Sequence, residues 1–256
     1  MIHSELLTHR IFSRNASSSR AIPISKMIEW IESDPAIPIY WGSSKRGMQA
    51  GAEIENIGLA IAIWNAVCHA VVGSAKVMAC LGLHKQIVNR ILEPWAHMNV
   101  VLTGTEFDNF FTLRCHPDAQ PEIQKLAVMM AIAFRDSEPT LLQNGEWHLP
   151  YVTAEEKASL PLDVLKKICV ARCCRVSYLT VDGKSSAIEK DLELHDGLLT
   201  DHHMSPFEHA AEADDDRWYG NFRGFRQYRQ AIPLQSYLKF DFSTLDKFPK
   251  GFHVAS

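Results

Sequence analysis

The stretch from residue 54 to residue 78 constrains the fold more than any other part of the sequence. Apolar residues recur there at steps of three and four, the spacing of one face of an α-helix. They are Ile54, Ile57, Ile61, Trp64, Cys68, Val71, Ala75 and Met78. We therefore expect a long helix over residues 53–81, which Gly82 ends. Polar residues at 65, 69, 74 and 76 interrupt the apolar run, and this predicts an amphipathic helix rather than a membrane span.

The composition is that of a globular protein, with 46% hydrophobic and 22% charged residues among 256. The 26 Lys and Arg against 30 Asp and Glu give a net charge of −4, so we expect no duplex nucleic-acid partner. The six cysteines lack the C-x-x-C spacing of zinc sites. We therefore expect reduced thiols, no metal and a cytoplasmic protein. Rossmann and P-loop glycine motifs are absent from the sequence.

Shorter periodic segments predict further helices, at 25–31, 84–92, from about 105, 118–134, 161–174 and 185–199. Ser25 is the expected N-cap of the first of these. Residues 98–102 form either a strand or a buried helical segment, and strands are expected within 203–232. Several helices with few strands predict an α+β fold. Residues 136–160 are rich in loop signals and divide a lobe of residues 1–150 from a lobe of residues 151–256.

Two motifs in the first lobe carry polar groups of the types that can bind anions or bases. Residues 9–20 combine His9, Arg10, Arg20, an amide and four serines, which could form a phosphate cradle or a solvated serine-rich loop. Residues 109–124 place Arg114 ahead of carboxamides and an acid. Such donors could grip a pyrimidine edge or could form a charge network on a helix surface.

Two further motifs lie in the second lobe. Residues 202–209 hold three histidines and a glutamate, but their spacing and Pro206 argue against a metal and favour satisfied polar groups at a turn. Residues 221–229 alternate basic and aromatic side chains. That pattern fits either a single-strand nucleic-acid binder or a strand facing a nucleotide site.

Taken together, the motifs resemble the flavin-dependent thymidylate synthases. The family signature R-H-R-x-x-S-x-N-x-x-S-x-R is matched by residues 8–20, which read THRIFSRNASSSR, with Thr8 in place of the first arginine. Residues 109–114 (NFFTLR) and 120–124 (QPEIQ) match a second family segment. CRVS at 174–177, HMSPFEH at 203–209 and RQY at 226–228 match three more. In most members these last segments come before the signature, so the resemblance implies a fold of helices packed on a small, mostly antiparallel sheet with its segments in permuted order.

The resemblance also implies site residues. Arg114 corresponds to the catalytic arginine at the uracil ring. Residues expected to bind dUMP are Ser18, Ser19, Arg20, Arg90, Arg114 and Gln227. Glu5 occupies the place that corresponds to Gln227 in a second copy of the same family strand, so either could line the base. Residues expected to bind FAD are His9, Arg10, Ser13, Asn15, Asn109, Ser177, His203, Ser205 and Glu208.

The activity implied by the resemblance is the conversion of dUMP to dTMP, with FAD as cofactor and NADPH and methylenetetrahydrofolate as co-substrates. The implied assembly is a homo-oligomer, with a tetramer favoured, and the 53–81 helix could bury part of its interface or could belong to the core of one chain. Thr8 and Ala16 depart from the family motif. This leaves a catalytically impaired flavin- and nucleotide-binding homologue as one alternative, and a single-strand nucleic-acid binding module as another.

Overall fold

The computed structural model of the protein describes residues 2–177 and 187–232 together with Asp241 and Ser243, with side chains from Glu5 to Val176 in the first range. Its helices are α1 (Ile2–Leu7), α2 (Ile24–Ser33), α3 (Ile57–Cys80), α4 (Lys85–Leu92), α5 (Asp108–Arg114), α6 (Pro121–Asp136), α7 (Ala154–Ser159), α8 (Leu162–Cys174) and α9 (Ile188–Thr200). Its strands are β1 (Ser13–Ala16), β2 (Val100–Thr103), β3 (Trp147–His148), β4 (Ala211–Tyr219) and β5 (Phe222–Gln227).

The long helix predicted from the apolar stripe is confirmed as α3. The side chain of Asn56 caps it by accepting from the N–H of Leu59 at 3.0 Å. Gly82 follows with a φ of +80°, a conformation that glycine adopts without a steric penalty. The buried face of α3 packs against α2 and α4 in one core. That core contains Met27, Ile28, Ile31, Cys68, Val72, Ala75, Val88, Leu92 and Trp95.

The opposite face of α3 differs from the sequence expectation, because it is apolar as well. Leu59, Ile63, Val67 and Val77 are all about half exposed or more in the single chain. Among the described residues, α3 is the one helix long and apolar enough to cross a membrane, by length and composition alone. The stripe predicted to be buried is therefore present, but the polar outer face of an amphipathic helix is not.

Two small antiparallel sheets complete the α+β fold expected from the sequence. β1 pairs with β2 from Ser13 opposite Thr103 to Ala16 opposite Val100. The second sheet has the order β3-β4-β5, with a bulge in β4 between Ala213 and Trp218. Residues 98–102, which periodicity left undecided, therefore contribute a strand.

One local expectation was wrong. Ser25 does not cap α2, since the helix begins at Ile24 after Pro23 and lacks a side-chain cap. Residues 136–160 are mostly loop, as predicted, and they also contain β3 and the short helix α7. Thr153 and Glu156 form a reciprocal capping box at the start of α7.

Hydrogen bonds connect residues 1–150 with residues 151–232. The amide of Asn15 donates to the carbonyl oxygen of Cys173 at 2.7 Å. The amide of Asn221 donates to the carbonyl oxygen of Ile11 at 3.0 Å and to Ser13 Oγ at 3.1 Å. The division into two lobes remains a prediction, but the two parts share polar contacts around β1.

Candidate active site

Arg114, the last residue of α5, lies at the centre of a polar cluster with the N-terminal segment. Its Nε donates to His9 Nε2 at 2.9 Å, and its Nη2 donates to Thr8 Oγ1 at 3.1 Å. Its Nη1 lies 2.9 Å from Glu5 Oε2 in an ion pair. The structure thus brings together the predicted catalytic arginine and His9 of the signature motif. It adds Thr8 and Glu5 as contacts that sequence spacing did not predict.

His9 is buried and packs edge-on against Phe110, with ring centroids 5.0 Å apart. Burial lowers the pKa of His9, and the neighbouring Arg114 cation lowers it further. The imidazole is therefore neutral at pH 7, as it must be to accept a hydrogen bond from a guanidinium. Arg114 and His9 hold each other in one orientation.

The guanidinium of Arg114 keeps some donor capacity. Arginine has five N–H donors, and the contacts to Glu5, Thr8 and His9 use three of them, which leaves two. The side chain is 20% exposed, so those donors can reach a ligand. A positioned cation with free donors can stabilise negative charge that develops on a bound ring.

The segment after β1, which was predicted to bind a phosphate, is held by hydrogen bonds to α4 and to Glu93. Ser19 Oγ donates to Glu93 Oε1 at 2.6 Å, and the buried amide of Asn89 donates to the carbonyl oxygens of Ser19 at 2.8 Å and Ile22 at 2.9 Å. These bonds attach the turn to α4. Arg20 and Arg90 follow Ser19 and Asn89 in the chain, are exposed, and make no hydrogen bond or ion pair within the described part of the protein.

Two predicted ligand residues are buried in contacts within the chain. Ser13 Oγ accepts from the amides of Gln227 at 2.9 Å and Asn221 at 3.1 Å. Gln227 Nε2 also lies 3.2 Å from Asn221 Oδ1 and 3.3 Å from the carbonyl oxygen of Glu208. The structure therefore places Ser13 and Gln227 in the junction between β1 and β5.

The other predicted flavin residues differ in their contacts. Ser205 Oγ lies 3.3 Å from Asn15 Oδ1, and Glu208 pairs with Arg229. The side chains of three more are exposed: Arg10, Asn109 and His203. Ser177 ends a single helical turn, and its side chain lies outside the described residues.

Thr103 and His209 form a contact that the predicted site did not include. His209 Nδ1 lies 2.8 Å from Thr103 Oγ1, and this joins β2 to the end of the 203–209 motif. Burial, with a smaller effect of His148, lowers the pKa of His209 to about 4. The buried Nε2 of His209 has no hydrogen-bond partner in the described chain. In the sequence, only the place of His209 in the 203–209 motif pointed to a role for this residue. Periodicity does not show which residues of a turn are buried.

The arginines of β5 and the turn after it do not form an open cationic face. Arg223 pairs with Asp216 at 2.7 Å, Arg226 pairs with Glu212 at 2.6 Å, and Arg229 pairs with Glu208. Each positive charge next to an aromatic residue is thus matched by a carboxylate. This charge balance weighs against the single-strand nucleic-acid alternative. The described residues contain no group of three or more His, Cys, Asp or Glu that could hold a metal ion.

Comparison with known protein families identifies the family to which the chain belongs. The family described as thymidylate synthase complementing protein, Thy1, matches residues 1–140, which include the 8–20 signature and the Arg114 segment. Searches of curated proteins and of solved structures give no match. The match covers more than half of the chain and ends before the segments at 174–177, 203–209 and 226–228. The chain therefore belongs to the Thy1 family, the flavin-dependent thymidylate synthases known as ThyX.

Proposed function

We propose that the protein methylates dUMP to dTMP, with methylenetetrahydrofolate as carbon donor and with FAD and NADPH as the source of hydride. The observation that carries the proposal is the Arg114 cluster, in which a family motif residue is held rigidly with two donors unused. Family membership supports thymidylate synthase chemistry in general. The specific substrates and cofactors are our inference from the resemblance of the motifs to that family.

Arg114 supplies electrostatic stabilisation in this proposal. When a nucleophile adds at C6 of a uracil ring, the new bond displaces the electron pair of the C5–C6 double bond, and negative charge develops on the C4 carbonyl oxygen. A guanidinium that is already oriented by His9 and Thr8 can donate to that oxygen without reorganising. Since arginine keeps its proton at physiological pH, its role is to hold charge rather than to transfer a proton.

Arg20, Arg90 and Ser18 bind the nucleotide phosphate. The two guanidinium groups make no ion pairs within the described residues, although the net charge of the chain is negative. A phosphate would provide the anion that they lack, and arginine can bind it with two parallel hydrogen bonds. Asn89 contributes indirectly, because it fixes the backbone of the turn at Ser19.

The exposed polar residues of the family motifs carry the groups that a flavin dinucleotide needs for binding. Arg10 can neutralise part of a pyrophosphate, while Asn109, His203 and Ser205 offer side-chain hydrogen bonds at the surface. Ser13 and Asn15 act by holding β1 against the second half of the chain. FAD, when bound, supplies hydride transfer, for which protein side chains have no equivalent.

The outer face of α3 supports assembly into a homo-oligomer, for which we favour a tetramer. A face with Leu59, Ile63, Val67 and Val77 about half exposed is costly in water, since burying the exposed half of each side chain is worth roughly 1 kcal/mol. A second copy would cover it and leave the protein in the cytoplasm. Light scattering after size-exclusion chromatography measures the number of subunits and so tests this assembly. If the protein instead floats with lipid vesicles, the outer face of α3 binds a membrane and the proposed assembly is refuted.

A visible absorption spectrum is the first test of the proposed function. The purified protein should bind added FAD and show a flavin band near ~450 nm that shifts when dUMP is added. Production of dTMP with NADPH and methylenetetrahydrofolate would then establish turnover. Binding of FAD and dUMP without turnover would indicate the impaired homologue that Thr8 and Ala16 suggest. If the protein binds neither FAD nor dUMP, the proposal is refuted.

A further inference from the structure

Glu93 places a carboxylate beside the turn at residues 17–20, where the nucleotide phosphate is proposed to bind. Its Oε1 accepts a hydrogen bond from Ser19 Oγ at 2.6 Å. The residue is exposed and begins the single helical turn Glu93–Trp95 that follows α4. A carboxylate repels a phosphate, so its presence at this turn works against the ligand that the neighbouring residues would bind.

The bond to Glu93 also uses the one hydroxyl proton of Ser19. A serine hydroxyl is a single O–H donor with two acceptor lone pairs. While Glu93 accepts the proton, Ser19 Oγ has only lone pairs to offer, and a dianionic phosphate has no proton to donate to them. The side chain of Ser19, which was expected to bind dUMP, therefore cannot donate to a phosphate in this arrangement.

Three cations lie at the same turn or on the helix that holds it. Arg20 belongs to the turn, Arg90 lies on α4, and Lys85 Nζ donates to the carbonyl oxygen of Ala21 at 3.0 Å. None of the three makes an ion pair within the part of the chain that the structure describes. Three positive charges and the one negative charge of Glu93 give a net charge of +2. This matches the charge of about −2 on a phosphate monoester near neutral pH.

We propose that Glu93 is a specificity-determining residue: its carboxylate limits the positive charge at the turn to that of one phosphate monoester and so selects a nucleoside monophosphate over a diphosphate. The inference rests on the proposed function, because it requires the nucleotide phosphate to lie at this turn. A diphosphate brings additional negative charge toward the same carboxylate. Without Glu93, the three cations would suit the more highly charged ligand.

The test compares dUMP with dUDP in two variants of Glu93, with deoxyuridine as the ligand that lacks a phosphate. Calorimetry gives the dissociation constants at low and high salt, with FAD present. Glu93→Gln removes the charge but keeps an oxygen that accepts from Ser19, so the turn stays bonded and the fold is preserved. Glu93→Ala also releases the hydroxyl of Ser19. Glu32→Gln is the matched control, since Glu32 is an exposed glutamate that pairs with Lys76 at 2.6 Å.

We expect the wild type and the control to bind dUMP more tightly than dUDP. In Glu93→Gln this preference should fall by about threefold or more at low salt, the effect in water of one unit charge at about 6 Å. The change should become smaller at high salt, which a purely structural role would not produce. Glu93→Ala should bind dUMP more tightly than Glu93→Gln does, because the hydroxyl of Ser19 can then donate to the phosphate.

Three results would overturn the inference. They are a wild type that prefers dUDP, an unchanged preference in both Glu93 variants, and weaker binding of dUMP by Glu93→Gln than by the wild type. The last would mean that the carboxylate helps to hold the phosphate. Failure of the proposed function looks different. If the wild type binds deoxyuridine as tightly as dUMP, the phosphate does not lie at this turn, and if it binds no dUMP, the proposed function fails as a whole.

Discussion

Asn89 offers the most direct test of how the turn at residues 17–20 is held against α4. Its side chain is fully buried, and its amide nitrogen donates to the carbonyl oxygens of Ser19 and Ile22 at 2.8 and 2.9 Å. Asn89→Ala removes both bonds, each worth about 1 kcal/mol net. Ser19 O keeps a backbone bond from the N–H of Ile22, so only part of its bonding is lost. With a small cavity added, we expect a destabilisation of about 2–3 kcal/mol.

Urea unfolding measures that loss, and titration with dUMP measures its effect on the site. We expect the affinity for dUMP to fall as well, since the turn next to Arg20 is no longer fixed. Asn144→Ala is the matched control, because Asn144 is exposed on a loop and the substitution should change the unfolding free energy by less than about 0.5 kcal/mol. Equal stability of the two variants would refute the reasoning. A loss of stability with unchanged dUMP affinity would refute the link between the turn and the phosphate.

Three further predictions concern the site and its surroundings. Arg114→Ala should abolish dTMP formation while the flavin absorbance is retained. If the variant loses the flavin absorbance as well as dTMP formation, Arg114 contacts the flavin rather than the uracil ring. Arg20→Ala should weaken dUMP far more than FAD in parallel titrations, and Ser18→Ala should weaken dUMP by about 1–3 kcal/mol; unchanged dUMP affinity would place the phosphate elsewhere. Since burial lowers the pKa of His209 to about 4 from 6.5, the unfolded chain takes up a proton below pH 6.5 before the folded protein does. The contribution of His209 to the free energy of unfolding should therefore be fully present above pH 6.5 and should fall by at most roughly 3 kcal/mol between pH 6.5 and pH 4. When the free energy of unfolding in urea is plotted against pH, His209→Gln should flatten the curve over this range.

The helices were the most predictable part of the fold, for a physical reason. The apolar stripe of α3, the N-terminal Pro121 of α6 and the stop at Gly82 are local signals, because helix periodicity and capping depend on neighbours within one or two turns. The same signals could not show that α3 has apolar side chains on both faces. Periodicity reports which residues avoid water but not which surface covers them.

The site was predictable in its residue types but not in its contacts. The family motif identified His9 and Arg114, yet the bond between them joins residues 105 positions apart in the chain. Thr8 departs from the family motif, yet its hydroxyl accepts a hydrogen bond from Arg114 in the structure. The burial of Gln227 depends on Ser13, 214 positions earlier. Contacts at such separations depend on how the elements pack, which local sequence patterns do not report.

The hydrogen bond from Arg114 to His9 also fixes the tautomer of the imidazole. Because Nε2 accepts, it carries no proton, and the single ring proton of the neutral His9 must be on Nδ1. Arg114 in turn cannot release a proton to the ring. His9 is therefore unable to act as an acid or a base through Nε2 while the bond lasts. In the proposed reaction, a proton that leaves or enters the pyrimidine therefore cannot pass through Nε2 of His9 while this bond is present.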